Sequence, residues 1–375
     1  MSDLIRQFES KLSSASNQED LIEFISFLPS LPPYVNYHIQ LVYCPGDFEN
    51  IILKSSSEKL NLSIINNKVH SFKYNLNKYN KRFSGSFFVQ NSSIENLFCL
   101  HSLCYSADWN NFIRHFVNNE YPKVVIFYWK QKDLTKALKV LEESYRETHK
   151  LIVKELSLKE KRNIEFPNNE DIKKSYSDKY DSVREWTSKT LAQVLDEALE
   201  RGQWFKKIRF QLFRILKDKI SSIPIASCNI TKYGSISFNH MYKSIVPILL
   251  KELEPPLGNT IKLFLNKGLK QRNYKPAKPL AIEYDRNIFD DKIRLANFKY
   301  LLEKYPNSSK AIFHANPYLH INVADFKEGS SFDLFISSPN KILIIPQIKT
   351  SVAALERIVS FIFDEFYEGT IVEMS

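Results

Sequence analysis

Glycine is scarce in this chain, with 8 among 375 residues, and no two of them are close enough to form a glycine-rich loop. Average usage would be about 7%, roughly three times higher. Phosphate-binding turns need glycine because only a residue without a Cβ lets backbone N–H groups approach a phosphate closely. The glycine distribution therefore excludes P-loop and dinucleotide-binding enzymes, the commonest nucleotide-dependent classes.

The charge balance favours a polyanionic partner. Lysine and arginine number 52 against 42 acidic residues, giving a net charge of +10 and a pI near 9.1. Such a balance is typical of nucleic-acid binding, and also suits an acidic protein or membrane surface. A lysine- and asparagine-rich composition gives the same charge without any partner, so both interpretations stay open.

Cysteine and hydropathy patterns predict the compartment. Four cysteines in a chain of this length do not form a disulfide framework, so reduced thiols are expected. The N-terminal residues lack the apolar run of a signal peptide, and no stretch is long and apolar enough for a membrane span. We expect a nuclear or cytoplasmic protein that is not secreted.

The order of elements predicts an α/β or α+β fold in several parts. Residues 1–156 alternate helical and strand-like segments and are expected to form a mixed α/β domain. Residues 157–182 are polar and nearly free of aliphatic side chains, which predicts an exposed linker. Residues 183–285 are expected to be mainly helical, and residues 286–375 to form a separate αβββαβ unit.

Within these parts, several segments receive a specific assignment. Residues 50–54 and 123–129 are predicted to be strands from their apolar, β-branched composition. Residues 94–104 are predicted to be helical. Residues 204–220 place apolar side chains at helical spacing and basic ones between them, which predicts a helix with a basic outer face. A further helix is expected over 238–253, ended by Pro255 and Pro256.

The C-terminal unit has the clearest order of elements. A helix is predicted at 290–304, and a tight turn at Ser338-Pro339-Asn340 separates two of the strands that follow. The later elements are strands at 318–323, 332–337 and 341–349, a helix at 351–366 and a strand at 370–374.

In that order, the segment FDLFISSPNKILIIPQIKTS resembles the core of the PD-(D/E)xK nuclease superfamily. The resemblance implies that Asp333 is the acidic metal ligand and that Gln347 and Lys349 form the Gln-x-Lys motif. Asp333 and Gln347 would then hold Mg²⁺, and Lys349 would assist catalysis or position the nucleophile. The resemblance covers about residues 290–375, and no family is suggested for the rest.

Two stretches interleave basic residues with tyrosine, a pattern that favours contact with phosphates and stacking on bases. The candidates in residues 70–83 are Lys73, Lys78, Lys81 and Arg82. The candidates in residues 266–279, a predicted loop, are Lys267, Lys270, Arg272, Tyr274, Lys275 and Lys278. An ordinary solvated loop has the same composition, and this alternative stays open.

Together these features predict a nucleic-acid- or chromatin-associated protein that acts by binding, with a nuclease-like core that is intact or degenerate. One alternative is a non-enzymatic scaffold subunit of a multiprotein complex. Another is a Mg²⁺-dependent nuclease that hydrolyses phosphodiester bonds. The expected partners are DNA or RNA, protein subunits of a larger assembly, or both, and no cofactor is expected apart from Mg²⁺ in the nuclease alternative.

Overall fold

The protein belongs to the α+β class, as the sequence predicts. Our computed structural model describes residues 3–28, 31–32, 34–78, 80–161, 180–200, 203–216, 219–240, 245–265, 267, 279–290, 292–314, 319–347 and 350–374. Within them lie nine helices and two antiparallel sheets, of ten and six strands. None of the helices in the described ranges is both long enough and apolar enough to cross a membrane.

The chain folds into two compact units, each made of two separate stretches of sequence. The first unit comprises Met1–Glu120 and Trp129–Glu254, and the second comprises Tyr121–Tyr128 and Pro255–Ser375. The first contains the ten-stranded sheet and the second the six-stranded sheet.

Six helices belong to the first unit. They are α1 (Asp3–Ser14), α2 (Gln18–Ser26), α3 (Phe48–Lys54), α4 (Ser106–Glu120), α5 (Gln131–Tyr145) and α6 (Leu191–Glu200). The ten strands are β1 (Val35–Tyr43), β2 (Leu60–Asn66), β3 (Ser71–Lys78), β4 (Lys81–Asn91), β5 (Leu97–Tyr105), β6 (His149–Lys161), β7 (Tyr180–Trp186), β8 (Gln203–Leu216), β9 (Lys219–Thr231) and β10 (Ser235–His240). Their order across the sheet is β2-β3-β4-β5-β1-β10-β9-β8-β6-β7.

Aromatic side chains fill the space between α4 and the first half of this sheet. Phe112 of α4 stacks on Tyr74 of β3 with 4.2 Å between ring centroids, and it lies 5.2 Å from Phe87 of β4. Trp109, one turn earlier on the same helix, contacts Phe87 edge to face. Such rings bury large apolar areas, so this cluster anchors α4 on strands β3 and β4.

The second unit contains six strands and most of three helices. Helix α7 (Ile245–Leu265) begins in the first unit and continues into the second, and α8 (Lys292–Glu303) and α9 (Val352–Glu365) follow. The strands are β11 (Leu280–Glu283), β12 (Ser308–His314), β13 (Leu319–Asp325), β14 (Ser330–Ser338), β15 (Lys341–Pro346) and β16 (Thr370–Glu373). Their order is β12-β13-β14-β15-β11-β16.

The elements predicted for the C-terminal unit are correct in type and order, but the prediction lacks two strands. The predicted helix, three strands, helix and strand correspond to α8, β13, β14, β15, α9 and β16. Strand β12 lies between α8 and β13, so four strands separate the two helices instead of three, and β11 precedes α8. The missed strand β11 has only four residues, and β12 (SSKAIFH) shows no clear alternation of apolar and polar residues.

Two predicted helices are strands. Of the predicted helix 204–220, residues 204–216 lie in β8 and residues 219–220 in β9, and residues 217–218 lie outside the described residues. Residues 97–104 of the predicted helix 94–104 lie in β5. In β8 the apolar residues also alternate with polar ones, and the residues of β5 are almost all buried, as expected for a strand covered on both faces. The mainly helical region predicted at 183–285 is wrong for the same reason, since β8, β9 and β10 occupy its centre.

Two predicted strands are also wrong. Residues 50–54 lie in helix α3, which Asp47 caps by accepting a hydrogen bond from the backbone N–H of Asn50. Residues 123–129 lie outside the named strands, although Val124 and Phe127 are buried. A short apolar run indicates that a segment is buried, but it does not show whether the segment is a strand.

The predicted helix 238–253 begins later and ends later than expected. Residues up to 240 belong to β10, and α7 passes through Pro255 and Pro256 to Leu265. Buried apolar residues recur along the helix at Leu249, Leu253 and Leu257, and this packing offsets the backbone hydrogen bonds that the two prolines delete. In the predicted linker, residues 157–161 and 180–182 belong to β6 and β7, and residues 162–179 lie outside the described residues.

Candidate functional site

Polar side chains occupy one face of the six-stranded sheet. Along β14, the buried residues Phe332 and Leu334 alternate with the half-buried Ser331 and Asp333. In β13, Asn322 lies directly opposite Asp333. Because successive side chains of a strand point to opposite faces, one face packs into the core and the other carries this polar set.

The carboxylate of Asp333 is the centre of the set. Its Oδ1 accepts a hydrogen bond from Asn322 Nδ2 at 2.9 Å and lies 3.3 Å from His320 Nε2. Its Oδ2 accepts from Gln347 Nε2 at 2.6 Å. Asn322 Nδ2 also donates to Ser331 Oγ at 3.2 Å. An ionised carboxylate only accepts hydrogen bonds, so the two amides must turn their NH₂ groups toward it.

Aromatic rings hold the His320 side chain in place. The ring of Phe335, its cross-strand partner, stacks on the imidazole with 3.9 Å between centroids. The ring of Phe313 on β12 lies 4.9 Å from it, and 65% of Phe313 is exposed. The imidazole is therefore fixed between a half-buried ring and an exposed one, with Nε2 directed at Asp333.

A pocket of about 650 Å³ opens over these residues, and Phe313 and Gly329 lie in its wall. The remaining lining residues are His320, Asn322, Ser331, Asp333 and Gln347. The lining therefore consists of a carboxylate, two amides, a hydroxyl, an imidazole and one exposed ring.

The structure brings together two of the three residues that the nuclease resemblance implies. Asp333 and Gln347 are in direct contact, and Lys349 lies outside the described residues. The sequence analysis missed His320 and Asn322. The signal that could have revealed them is the alternation in LHINV, which places both side chains on the face opposite the buried Ile321.

The donor set does not fit Mg²⁺. This ion takes oxygen ligands, one or two carboxylates among them. Asp333 is the one carboxylate among the described lining residues, and Gln347 directs its NH₂ group at it instead of an oxygen. Across the described ranges, no three His, Cys, Asp or Glu side chains form a group that could hold a metal.

The first predicted basic stretch lies on the β3–β4 hairpin, where Lys73 and Arg82 contact other side chains of the protein. Lys73 Nζ is 3.3 Å from Glu9 Oε1, and Arg82 Nη2 donates to Asn75 Oδ1 at 2.7 Å. Both contacts are at least partly exposed to solvent, so these cations stay accessible to an anion.

The tip of this hairpin is electropositive. Lys78 and Lys81 pair directly across it. The pKa of His115 is lowered by burial and, in addition, by the positive charges of Lys78 and Lys59. The hairpin tip therefore has the sign of charge that the sequence analysis predicts.

Most of the second predicted basic stretch, residues 266–279, lies outside the described residues. Lys267 is fully buried, and its Nζ donates to Glu373 at 2.6 Å, so this side chain is not available to a phosphate. Lys270, Arg272, Tyr274, Lys275 and Lys278 lie outside the described residues.

A basic surface lies on one face of β6, β8 and β9; the sequence analysis predicted a basic face within residues 204–220 but assigned it to a helix. Lys207, Arg209 and Gln211 of β8 alternate with Ile208, Phe210 and Leu212, which are buried. Directly paired residues of neighbouring antiparallel strands share a face, and the pairs Glu155–Arg209 and Arg209–Asn229 join β6, β8 and β9. We call this surface the polar face; its residues are Lys150, Lys154, Glu155, Lys207, Arg209, Gln211, Ser227, Asn229 and Thr231.

Glu155 is the acidic member of the polar face. Its side chain is 3% exposed, and its carboxylate lies 3.4 Å from Lys207 Nζ and 3.9 Å from Arg209 Nη1. A third cation, Lys154, lies 5.4 Å above the ring of Phe213. Lys150 pairs with Phe213 across β6 and β8, which places it on the same face. Among the described side chains, four cations therefore share this face with the buried carboxylate of Glu155.

Three buried polar atoms on the polar face have no hydrogen-bond partner among the residues that the structure describes. They are Arg209 Nε, Ser227 Oγ and Asn229 Oδ1. Buried polar groups are normally satisfied by protein, water or a ligand. These three atoms on adjacent strands are polar groups of this face that no described residue satisfies.

Comparison with known proteins does not assign this sequence to a family. No family model matches the sequence, and no curated protein matches it.

Proposed function

We propose that the protein binds nucleic acid, and that the polar face of the ten-stranded sheet contacts the phosphodiester backbone. The observation that carries the proposal is the grouping of Lys150, Lys154, Lys207 and Arg209 on one face of two adjacent strands. The net charge of +10 and the electropositive tip of the β3–β4 hairpin agree with it.

The cations on the polar face suit phosphates better than bases. Lys207 and Arg209 are 34% and 35% exposed, and the aromatic ring of Phe213 is buried beneath Lys154. Recognition of single-stranded bases uses exposed rings as stacking platforms, whereas backbone contact needs only positive charge and hydrogen-bond donors. We therefore expect binding with little dependence on base sequence.

The expected salt dependence follows from the number of cations. Each phosphate contact changes the slope of log K against log salt concentration by about 0.7 for single strands and about 0.9 for duplex DNA. If all four cations contact phosphates, this surface contributes a slope of about −2.8 or about −3.6, respectively.

The test measures the affinity of the full chain for labelled single- and double-stranded DNA and RNA over a range of salt concentrations. The variant Lys150→Gln/Lys154→Gln removes two cations and leaves the ion pairs of Glu155 intact. We expect its slope to be smaller in magnitude by about 1.4 for single strands or about 1.8 for duplex DNA.

The matched control is Lys54→Gln/Lys68→Gln, which removes two exposed charges of the same unit that lie outside the polar face. Equal slopes for the two double variants would refute the assignment to the polar face. Absence of salt-dependent binding by the wild-type protein would refute nucleic-acid binding itself and favour the scaffold alternative.

The nuclease alternative is tested by adding Mg²⁺ to the same reactions and comparing the wild-type protein with Lys349→Ala. This alternative predicts cleavage that the substitution abolishes.

A further inference from the structure

We propose that the pocket around Asp333 in the second unit binds a guanidinium group, either of a small molecule or of an arginine side chain in a peptide. The proposal is independent of nucleic-acid binding, because it concerns a different surface and a ligand of opposite charge.

The first argument is the direction of the hydrogen bonds. Asn322 and Gln347 both turn their amide nitrogen toward Asp333, so their carbonyl oxygens are left to accept hydrogen bonds from a ligand. Asp333 itself keeps one accepting position on Oδ2, since a carboxylate has about four lone-pair sites and three are used.

The second argument is the charge and polarity of the lining. Asp333 is the one carboxylate among the described lining residues, and the oxygens of Asn322, Gln347 and Ser331 can accept hydrogen bonds. The described lining therefore offers a negative charge and several acceptors, which repel a phosphate or carboxylate. A ligand must supply several N–H donors and a positive charge.

The third argument is the exposed ring of Phe313 in the wall of the pocket. A planar cation stacks on an aromatic face and can still direct its N–H groups sideways at acceptors. A guanidinium group has five such donors in one plane, whereas an ammonium group has three around a point. An exposed ring beside several acceptors therefore favours guanidinium over ammonium.

The experiment titrates the full-length protein with N-acetyl-arginine amide and follows binding by calorimetry and by ligand-observed NMR. N-acetyl-citrulline amide, which has nearly the same shape without the charge, is the ligand control, and N-acetyl-lysine amide tests the preference for a planar cation. Methylguanidine and the peptide Gly-Arg-Gly distinguish a free guanidinium compound from an arginine within a chain.

We expect arginine amide to bind at millimolar or lower concentration, and citrulline amide not to bind. Asp333→Asn should weaken binding by about 10- to 100-fold, because it removes a hydrogen bond to a charged acceptor. Phe313→Ala should weaken it about 3-fold or more through the lost cation–π contact. Phe326→Ala is the matched control, since this phenylalanine is 64% exposed and lies outside the pocket lining.

Three results would overturn the proposal. They are no binding of any guanidinium ligand to the wild-type protein, equal binding of the citrulline and arginine compounds, and equal effects of Phe313→Ala and Phe326→Ala. Because the side chain of Phe313 is exposed, its removal tests the pocket even if Asp333→Asn alters the fold of the second unit.

Discussion

The strongest structural prediction concerns the buried carboxylate of Asp325 and its partner Arg357. Asp325 is fully buried at the end of β13, and Arg357 on α9 is 16% exposed. Arg357 Nη1 donates to Asp325 Oδ1, and its Nη2 donates to the carbonyl of Pro306. Tyr305 Oη donates to Asp325 Oδ2 at 2.8 Å, and the guanidinium lies 4.8 Å from the Tyr305 ring. The pair therefore joins α9 to the end of β13.

Arg357→Ala leaves the Asp325 charge buried without its cation. Removing one partner of a buried ion pair costs about 3–5 kcal/mol. The hydrogen bonds that Asp325 accepts from Tyr305 and from the backbone N–H of Lys327 remain, so we expect the lower end, about 3 kcal/mol. Asp325→Asn/Arg357→Met removes both charges and should be less destabilising than Arg357→Ala, because no unpaired charge is left.

The measurement must report on the second unit. All four tryptophans belong to the first unit, so their fluorescence during urea unfolding serves as the control and should change little. Hydrogen exchange of peptides from β13, β14 and α9, followed by mass spectrometry, gives the opening free energy of the second unit. A loss below about 1 kcal/mol in Arg357→Ala, or a double variant less stable than the single one, would refute the reasoning.

Two further predictions concern the first unit, and urea unfolding followed by tryptophan fluorescence measures both. Gly85→Ala should cost about 1–3 kcal/mol, because the new Cβ would lie 2.6 Å from Oη of the buried Tyr74, whereas Gly46→Ala, whose nearest neighbour is 4.0 Å away, should be nearly neutral. Burial lowers the pKa of His38 and of His101 to about 3, so between about pH 6.5 and 3 the unfolded state binds protons that the folded state does not. Stability should therefore fall on acidification from about pH 6.5 by roughly 1.4 kcal/mol per pH unit for each histidine, and an unfolding midpoint that does not fall would contradict this.

The sequence predicts the elements of the C-terminal unit well because their patterns are unambiguous. Strands β13, β14 and β15 alternate buried and half-buried residues, and Ser351 caps α9 by accepting a hydrogen bond from the Ala354 N–H. The resemblance to the nuclease core implies that Asp333 and Gln347 lie together, and a hydrogen bond joins them in the structure. The contributions of His320 and Asn322 depend on the pairing of β13 with β14, which the sequence does not specify.

The sequence does not predict that the basic surface of the first unit lies on a sheet, because two periodicities coexist in β8. Phe205, Ile208, Leu212 and Ile215 fit a helix, whereas Ile208, Phe210 and Leu212 with intervening Lys207, Arg209 and Gln211 fit a strand. Pairing with β6 and β9 decides between them, and those strands are up to about 60 residues away along the chain. Local propensity cannot supply such information.

Each unit consists of two separate stretches of sequence, and this affects how the protein folds during its synthesis. Residues 121–128 leave the ribosome well before the rest of the second unit, yet their partners lie far downstream. Tyr128 Oη donates to Glu368, its backbone N–H donates to Glu356, and Phe127 stacks on Phe264. Until those residues are synthesised, the apolar run lacks these contacts, and apolar segments exposed in this way recruit chaperones or aggregate. Truncation after Glu254 would make that transient exposure permanent, so neither unit can be obtained intact as a single contiguous fragment.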